Sequence, residues 1–252
     1  MRGQACFDRS GSQSSPGSAT ASLARKDGDQ APRIVHPPRE DRRPMRAREN
    51  KWVKATALWL TRAGAQPNQV SASSVLFASL SGTSLVLAAT TAGTWAVVWF
   101  AAAGVFIPLR GLCNLCDGLM AIEGGLRTRS GEIFNDLPDR LSDSIVFVAA
   151  GCSVTWMSWG RELGWAAGLL AALTAYVRVL GASGGASQQF CGPMAKTQRM
   201  AVMAAACLAA SVEAAMGLTP RSVMLALTVV VVGCVATIAR RTFRIVRELE
   251  AG

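Results

Sequence analysis

Histidine is almost absent from this chain: His36 is the only one among 252 residues. A Ser-His-Asp triad, a histidine general base or a His-rich zinc site therefore has nothing to be built from. Charge is scarce too, at 17% of residues, against roughly a quarter in ordinary soluble domains. Half of the chain is hydrophobic, which excludes a wholly disordered protein. The cysteines number 7, an odd count lying mostly inside apolar stretches, so they do not read as the disulfide framework of a secreted domain. Residues 1 to 50 contain no apolar run, and hence no secretory signal.

What the chain does have is basic charge combined with apolar blocks. Lys and Arg total 26 against 16 acids, for a net charge of +10, while the mean hydropathy is +0.28. Nucleic-acid binding would account for the charge but not for the apolar blocks, so no nucleic-acid partner is expected. The combination predicts an all-α integral membrane protein whose Lys and Arg lie on one side of the bilayer.

Residues 1–48 are rich in Arg, Ser, Gly, Pro and Asp and read as a disordered basic tail. A true start at Met45 is the other reading of the same stretch. Residues 49–70 predict a juxtamembrane amphipathic helix, with Trp52, Leu58 and Trp59 among Lys51, Lys54 and Arg62, ended by Gly64 and a Pro67-Asn68 turn. Ser71 or Ser73 is the expected cap of the next helix. Residues 71–247 form the membrane domain. Six apolar segments follow there, roughly Ser74–Thr91, Trp95–Ala121, Ser144–Trp159, Leu163–Leu180, Met200–Met216 and Val223–Ala239. Six transmembrane helices place both termini on one side. Of the 26 basic residues only Arg161 and Arg221 then fall on the other. The excess of positive charge predicts cytoplasmic termini, with a bacterial inner membrane the expected location.

The informative stretch runs from Arg110 to Asp143, between the second and third apolar segments. Ionisable groups at the ends of membrane helices are costly and need partners or a function. Asn114 and Asp117 are three apart and share a helix face; Asn135 and Asp139 are four apart and share another. Gly118 and Ala121 leave room beside the first pair. Gly124-Gly125 breaks the first helix and Gly131 precedes the second. Two helix ends can thus present four oxygen-bearing side chains to one point. That set suits a hard divalent cation such as Mg²⁺, which commonly bridges carboxylates and substrate phosphates. The plainer reading, that these groups cap helices and pair with Arg110, Arg127, Arg129 and Arg140, suits any one of them better than it suits the spaced set.

These residues resemble the signature of the CDP-alcohol phosphatidyltransferases, D-x2-D-G-x2-A-R-x8-G-x3-D-x3-D. The spacing is kept throughout, at Asn114, Asp117, Gly118, Ala121, Ile122, Gly131, Asn135 and Asp139, with five of these eight positions identical. The first and third acids are Asn here, and the Arg is Ile122. The likeness extends from about Gly64 to Arg247, with the signature joining the second and third spans as in that family. The resemblance implies a transfer of a phosphatidyl group from a CDP-linked lipid such as CDP-diacylglycerol to a small polar alcohol, releasing CMP. It also implies Mg²⁺ or Mn²⁺ as cofactor and a homodimer. Asp117 would then be a metal ligand with Asn114, Asn135 and Asp139, and Asp139 would also accept the alcohol's proton. Gly118, Ala121 and Gly131 would allow close approach and turning. The departures leave two carboxylates where the family has four, and a lipid-binding protein without turnover is the competing reading.

Arg178, Lys196 and Arg199 all fall on the side expected to carry the signature, and resemble the family's basic region near the acceptor pocket. Arg forks and a Lys point charge suit phosphate. Snorkelling to the interface fits each equally well. Cys113 and Cys116 have no second pair and no nearby His, too few ligands for zinc.

Overall fold

The computed structural model describes residues 51–123 and 131–251; at 121–123, 131, 132, 134 and 135 it describes the backbone alone. The tail with His36 and Met45, and the Gly124-Gly125 break, lie outside the described residues.

The first helix, α1 (Lys51–Arg62), mixes its aromatic and basic residues so that Ala57 is buried while Trp52 and Trp59 stay exposed. Gly64, at φ +81°, turns the chain away from it, a conformation that costs glycine little. The next helix begins earlier than the serines suggested. α2 spans Pro67–Thr90 with Gln66 as its cap residue, and Gln69 Oε1 accepts the Gln66 N–H at 3.1 Å. Pro67 opens the helix, where its missing N–H removes no bond. Ser71 and Ser73 therefore lie inside α2 rather than at its start. This frees the Ser71 hydroxyl for a tertiary partner.

Five further helices follow: α3 (Thr94–Glu123), α4 (Gly131–Ser153), α5 (Gly160–Ser183), α6 (Lys196–Ala215) and α7 (Ser222–Ala251). α3 runs through Pro108 and α4 through Pro138 without interruption. Packing closes α2 to α7 into a ring, in the order α2, α3, α6, α7, α5, α4 and back to α2. α1 rests on α3, and a small cluster of Ala57, Val70, Cys116, Leu119 and Met120 fills the space beneath it.

Four of these helices, α2, α3, α5 and α7, are long and apolar enough to cross a membrane. Among the described residues α4 and α6 do not meet that measure of length and apolarity, so four of the six expected spans have this support. The third apolar segment was expected to run to Trp159, but α4 ends at Ser153 and a turn follows. What α4 gains is an earlier start, at Gly131, so its first half carries Asp136, Asp139, Arg140 and Asp143. α6 includes Lys196, Arg199 and Glu213 within its 20 residues.

Small residues make the interior. Ala78, Ala103, Ala150, Ala167 and Ala210 are fully enclosed, which lets backbones approach closely. Hydroxyls stitch neighbouring helices: Ser81 Oγ donates to the Ala103 carbonyl at 3.2 Å, and Ser211 Oγ to the Val97 carbonyl at 2.9 Å. α4 and α5 approach each other backbone to backbone. A Cβ on Gly164 would lie 2.6 Å from the Phe147 carbonyl oxygen and 2.8 Å from the Gly151 Cα, both backbone atoms that cannot swing aside. Gly168, one turn on, has its nearest neighbour at 3.5 Å, an ordinary contact.

Gly164→Ala is therefore expected to destabilise the fold by about 1–3 kcal/mol through overpacking, and Gly168→Ala to be tolerated. Thermal unfolding in detergent, followed by size-exclusion recovery, compares the two; equal melting would refute the close α4–α5 contact.

Candidate functional site

The polar ends of α3, α4, α5, α6 and α7 meet at one end of the bundle, joined by charged side chains that would be untenable singly. Arg110 lies one turn before Asn114 on α3 and is 1% exposed. Its Nη2 lies 2.6 Å from Asp143 Oδ1 and 3.4 Å from Asp139 Oδ1, both on α4. It also donates to the Asp139 backbone carbonyl at 3.2 Å. Arg199, from the first turn of α6, is equally enclosed. Its Nη2 donates to Asp143 Oδ2 at 2.9 Å, and its Nη1 to Thr174 Oγ1 of α5 at 2.9 Å and to the Met194 carbonyl at 3.2 Å. Asp143 thus sits between two guanidinium groups. A buried ion left unpaired costs several kcal/mol, so these helices are locked in register by their charges.

Asp139 occupies the centre. Asn114 Nδ2 donates to its Oδ1 at 2.6 Å, and Lys196 Nζ donates to its Oδ2. The carboxylate partner fixes which end of the Asn114 amide faces it, so the amide oxygen remains an acceptor. Asp117, one turn beyond Asn114, is 2% exposed. Its Oδ2 accepts the Ser71 hydroxyl, while its Oδ1 is buried without a hydrogen-bond partner. The charges of Asp139 and Lys196 both act on it. Among the described residues no three His, Cys, Asp or Glu side chains are grouped to hold a metal ion. The available donor set is instead an orphaned carboxylate oxygen with an amide oxygen on the same helix face. Hard oxygen donors of that kind fit Mg²⁺ or Mn²⁺, and the orphaned Asp117 oxygen is the observation that makes the fit.

The expected residues are therefore distributed unevenly. Asn114, Asp139 and Lys196 are bonded together, and Asp117 lies one turn beyond Asn114. Gly118 lies beside Asp117 on α3, half-buried. Asn135 stands one turn before Asp139 on α4, Ala121 lies near the end of α3 and Gly131 opens α4; their surroundings, and the side chain of Ile122, lie outside the described residues. Arg199 reaches Asp139 only through Asp143 and Arg110. Arg178 belongs to a neighbouring group: its Nη2 lies 3.2 Å from Asp136 Oδ2 and its guanidinium carbon 5.4 Å above the Phe190 ring.

Sequence reasoning assigned no site role to Arg110, Ser71, Thr174 or Arg241. Arg110 could have been found, because it falls four residues before Asn114 on the same face. Ser71 and Thr174 carry no local signal, since their partners are 46 and 25 residues away. Arg241 is part of a strap. From α7 it donates through Nε to the Cys191 carbonyl at 2.9 Å and also bonds the Thr174 carbonyl. Thr237 Oγ1 accepts the Met194 N–H at 3.0 Å, and Glu248 accepts the Ser187 N–H and hydroxyl at 2.7 and 2.9 Å. α7 thereby holds the 184–195 segment that leads into Lys196. Gly192, at φ +126°, is pressed so closely on Thr237 that a Cβ would lie 2.4 Å from its methyl group.

No protein-family model matches this chain, and no curated protein sequence does. Solved structures do. Mycobacterium tuberculosis phosphatidylinositol phosphate synthase (PgsA1), crystallised with manganese and citrate, superposes with a TM-score of 0.62 at 20% identity, covering 77% of this chain and 88% of that one. The same enzyme with CDP-DAG bound gives 0.63 at 20% identity, covering 78% and 94%. Its apo form gives 0.60 at 20% identity, covering 75% and 93%. The chain shares the fold of these structures.

Two outcomes are expected from the geometry. Asp143→Ala strands Arg110 and Arg199 in the interior and costs about 3–5 kcal/mol; Asp136→Ala, at a half-exposed ion pair, costs under about 1 kcal/mol. Chemical unfolding of the purified proteins in mixed micelles measures both, and similar losses would contradict the buried network. Gly192→Ala strains the strap by about 1–3 kcal/mol. It should speed tryptic cleavage after Lys196 roughly tenfold, the factor that 1.4 kcal/mol produces; an unchanged cleavage rate would dismiss the strap.

Proposed function

We propose that this chain is a membrane-embedded transferase of the CDP-alcohol phosphatidyltransferase type. It moves a phosphatidyl group from a CDP-linked lipid such as CDP-diacylglycerol to a small polar alcohol and releases CMP. The observation that carries the reading is a buried Asp117 carboxylate oxygen without a hydrogen-bond partner, one turn beyond Asn114, whose amide bonds Asp139 of α4. The match of this chain's spacing to the signature and the fold shared with PgsA1, one structure of which holds CDP-DAG and another manganese, support it.

In this reading Asn114, Asp117, Asn135 and Asp139 are the oxygen donors toward Mg²⁺ or Mn²⁺. When bound, such a cation neutralises charge on the pyrophosphate and the leaving phosphate. Gly118, Ala121 and Gly131 keep the helix surfaces low, so that the pyrophosphate can approach. The alcohol oxygen attacks the phosphorus on the lipid side, a new P–O bond forms, and the P–O bond to CMP breaks with its electron pair leaving on CMP. Asp139 takes the alcohol's proton, a task for a carboxylate in a chain with no histidine at the site. Lys196 stands beside Asp139, while Arg178 pairs with Asp136 and Arg199 with Asp143; in this reading the three supply positive charge toward a phosphate on the acceptor or the donor. The basic ends of α3 to α7 face the cytoplasm, with both termini, in a multi-pass chain of the inner membrane. The family resemblance implies a homodimer.

A second reading has its own support. Both Asp139 oxygens are already engaged, by Lys196 on one side and by Asn114 and Arg110 on the other. A lipid-binding protein that keeps the fold without turnover would show this arrangement.

The deciding assay is CMP release from CDP-diacylglycerol in lipid nanodiscs over a panel of alcohols. Release is expected to require one alcohol and Mg²⁺ or Mn²⁺ together, and Asp117→Ala is expected to lower the rate about 10³-fold, as loss of a main charge-stabilising group does. Full turnover by Asp117→Ala in excess chelator removes the proposal; binding of CDP-diacylglycerol without CMP release selects the second reading.

A further inference from the structure

Asp139 and Asp117 differ in a way the signature does not foretell. Asp139 Oδ2 is taken by Lys196, and its Oδ1 by Asn114 at 2.6 Å, with Arg110 at 3.4 Å. Asp117 has one oxygen on Ser71 and the other bare and buried. We infer that the Lys196 ammonium stands at Asp139 as a built-in counter-ion in place of a second divalent cation, so that the site holds a single divalent ion, at Asp117.

Charge arithmetic leads to the same place. The buried carboxylates are Asp117, Asp139 and Asp143; the cations that pair with this set are Arg110 and Arg199, both buried, and Lys196, 34% exposed. With Arg241, also buried and bonded to the Thr174 carbonyl, the set carries no excess of negative charge before any metal enters. One divalent ion adds +2, which the two ionised oxygens of a pyrophosphate diester cancel. A second would leave +2 uncompensated in surroundings of low dielectric, where such an excess is heavily penalised. Asn at position 114 acts in the same direction: it withholds the negative charge that a second ion would need, and turns its N–H groups, not its oxygen, toward Asp139. The strap from α7 fixes where Lys196 stands, since Met194 is bonded to Thr237 two residues before it. Lys196 is a positioning and charge-balancing residue here, independent of any contact it makes with substrate.

This inference rests on the transferase reading for its interest but is tested apart from it, by counting ions. Mn²⁺ is titrated into the purified full chain in nanodiscs, and free Mn²⁺ is followed by electron paramagnetic resonance. The wild type is expected to bind one Mn²⁺ per chain, and Asp117→Ala none. Lys196→Arg keeps the positive charge and should keep one ion at unchanged affinity. Lys196→Gln combined with Asn114→Asp places two uncompensated carboxylates together, and should bind a second Mn²⁺ at least about tenfold more tightly than the wild type binds any second ion. Two ions on the wild type, none on the wild type, one retained by Asp117→Ala, or only one on the double variant would each overturn the inference. One ion bound with no CMP released for any alcohol defeats the transferase reading and leaves this one standing; CMP release with two ions bound does the reverse.

Discussion

Charges cannot be stored singly inside a helix bundle. Arg110, Asp143 and Arg199 are each almost wholly enclosed; the two guanidinium groups are tolerated there because both bond Asp143, and Asp143 because it has both. Since the three come from α3, α4 and α6, and Thr174 of α5 completes the set, satisfying them dictates how those helices slide and rotate against one another. Buried ion pairs are weak evidence for stability taken alone, but they discriminate strongly between one register and its neighbours. The geometry around Asp139 and Asp117 depends on that register.

Held in this way, the polar end of the bundle is lopsided. On the α4 side, acids are matched by cations, and Asp139 has no idle oxygen. On the α3 side, Asp117 is anchored by Ser71 and keeps one oxygen bare in the interior. That contrast is the chemical content of the site. A carboxylate–cation lattice supplies a rigid frame, and the under-satisfied Asp117 oxygen gives a hard cation a reason to bind. The proposed transferase uses both halves. Small residues serve the frame as well, because the contact of Gly164 with the Phe147 and Gly151 backbones draws α5 against α4 and with it Thr174 toward Arg199.

Much of this was legible in the chain before folding. The apolar segments locate the helices, because burying or dissolving a long apolar run in lipid leaves the backbone few alternatives to helix. The spacing singled out Asn114 and Asp139, which are hydrogen-bonded in the fold, and Asp117, one turn beyond Asn114. The misreadings have physical causes. Serines near a proline suggested a cap, whereas Gln66 and Gln69 with Pro67 started α2 sooner and turned Ser71 into a partner of Asp117. The third apolar run continued past Ser153, but the helix stopped there, since hydropathy says nothing about where a backbone turns. Arg178, Lys196 and Arg199 look alike as basic residues following apolar runs; in the fold one pairs with Asp136, one with Asp139 and one with Asp143.

What the sequence determined by itself was therefore periodic and local: helices, their apolar faces, and which polar groups share a helix face. Only the tertiary structure decided the pairing of charges. Partners such as Ser71 with Asp117, Arg110 with Asp143 and Lys196 with Asp139 lie on different helices, and nothing in helical spacing relates one helix to another. That relation is set when each buried ion must find its opposite, and it left the Asp117 oxygen without one.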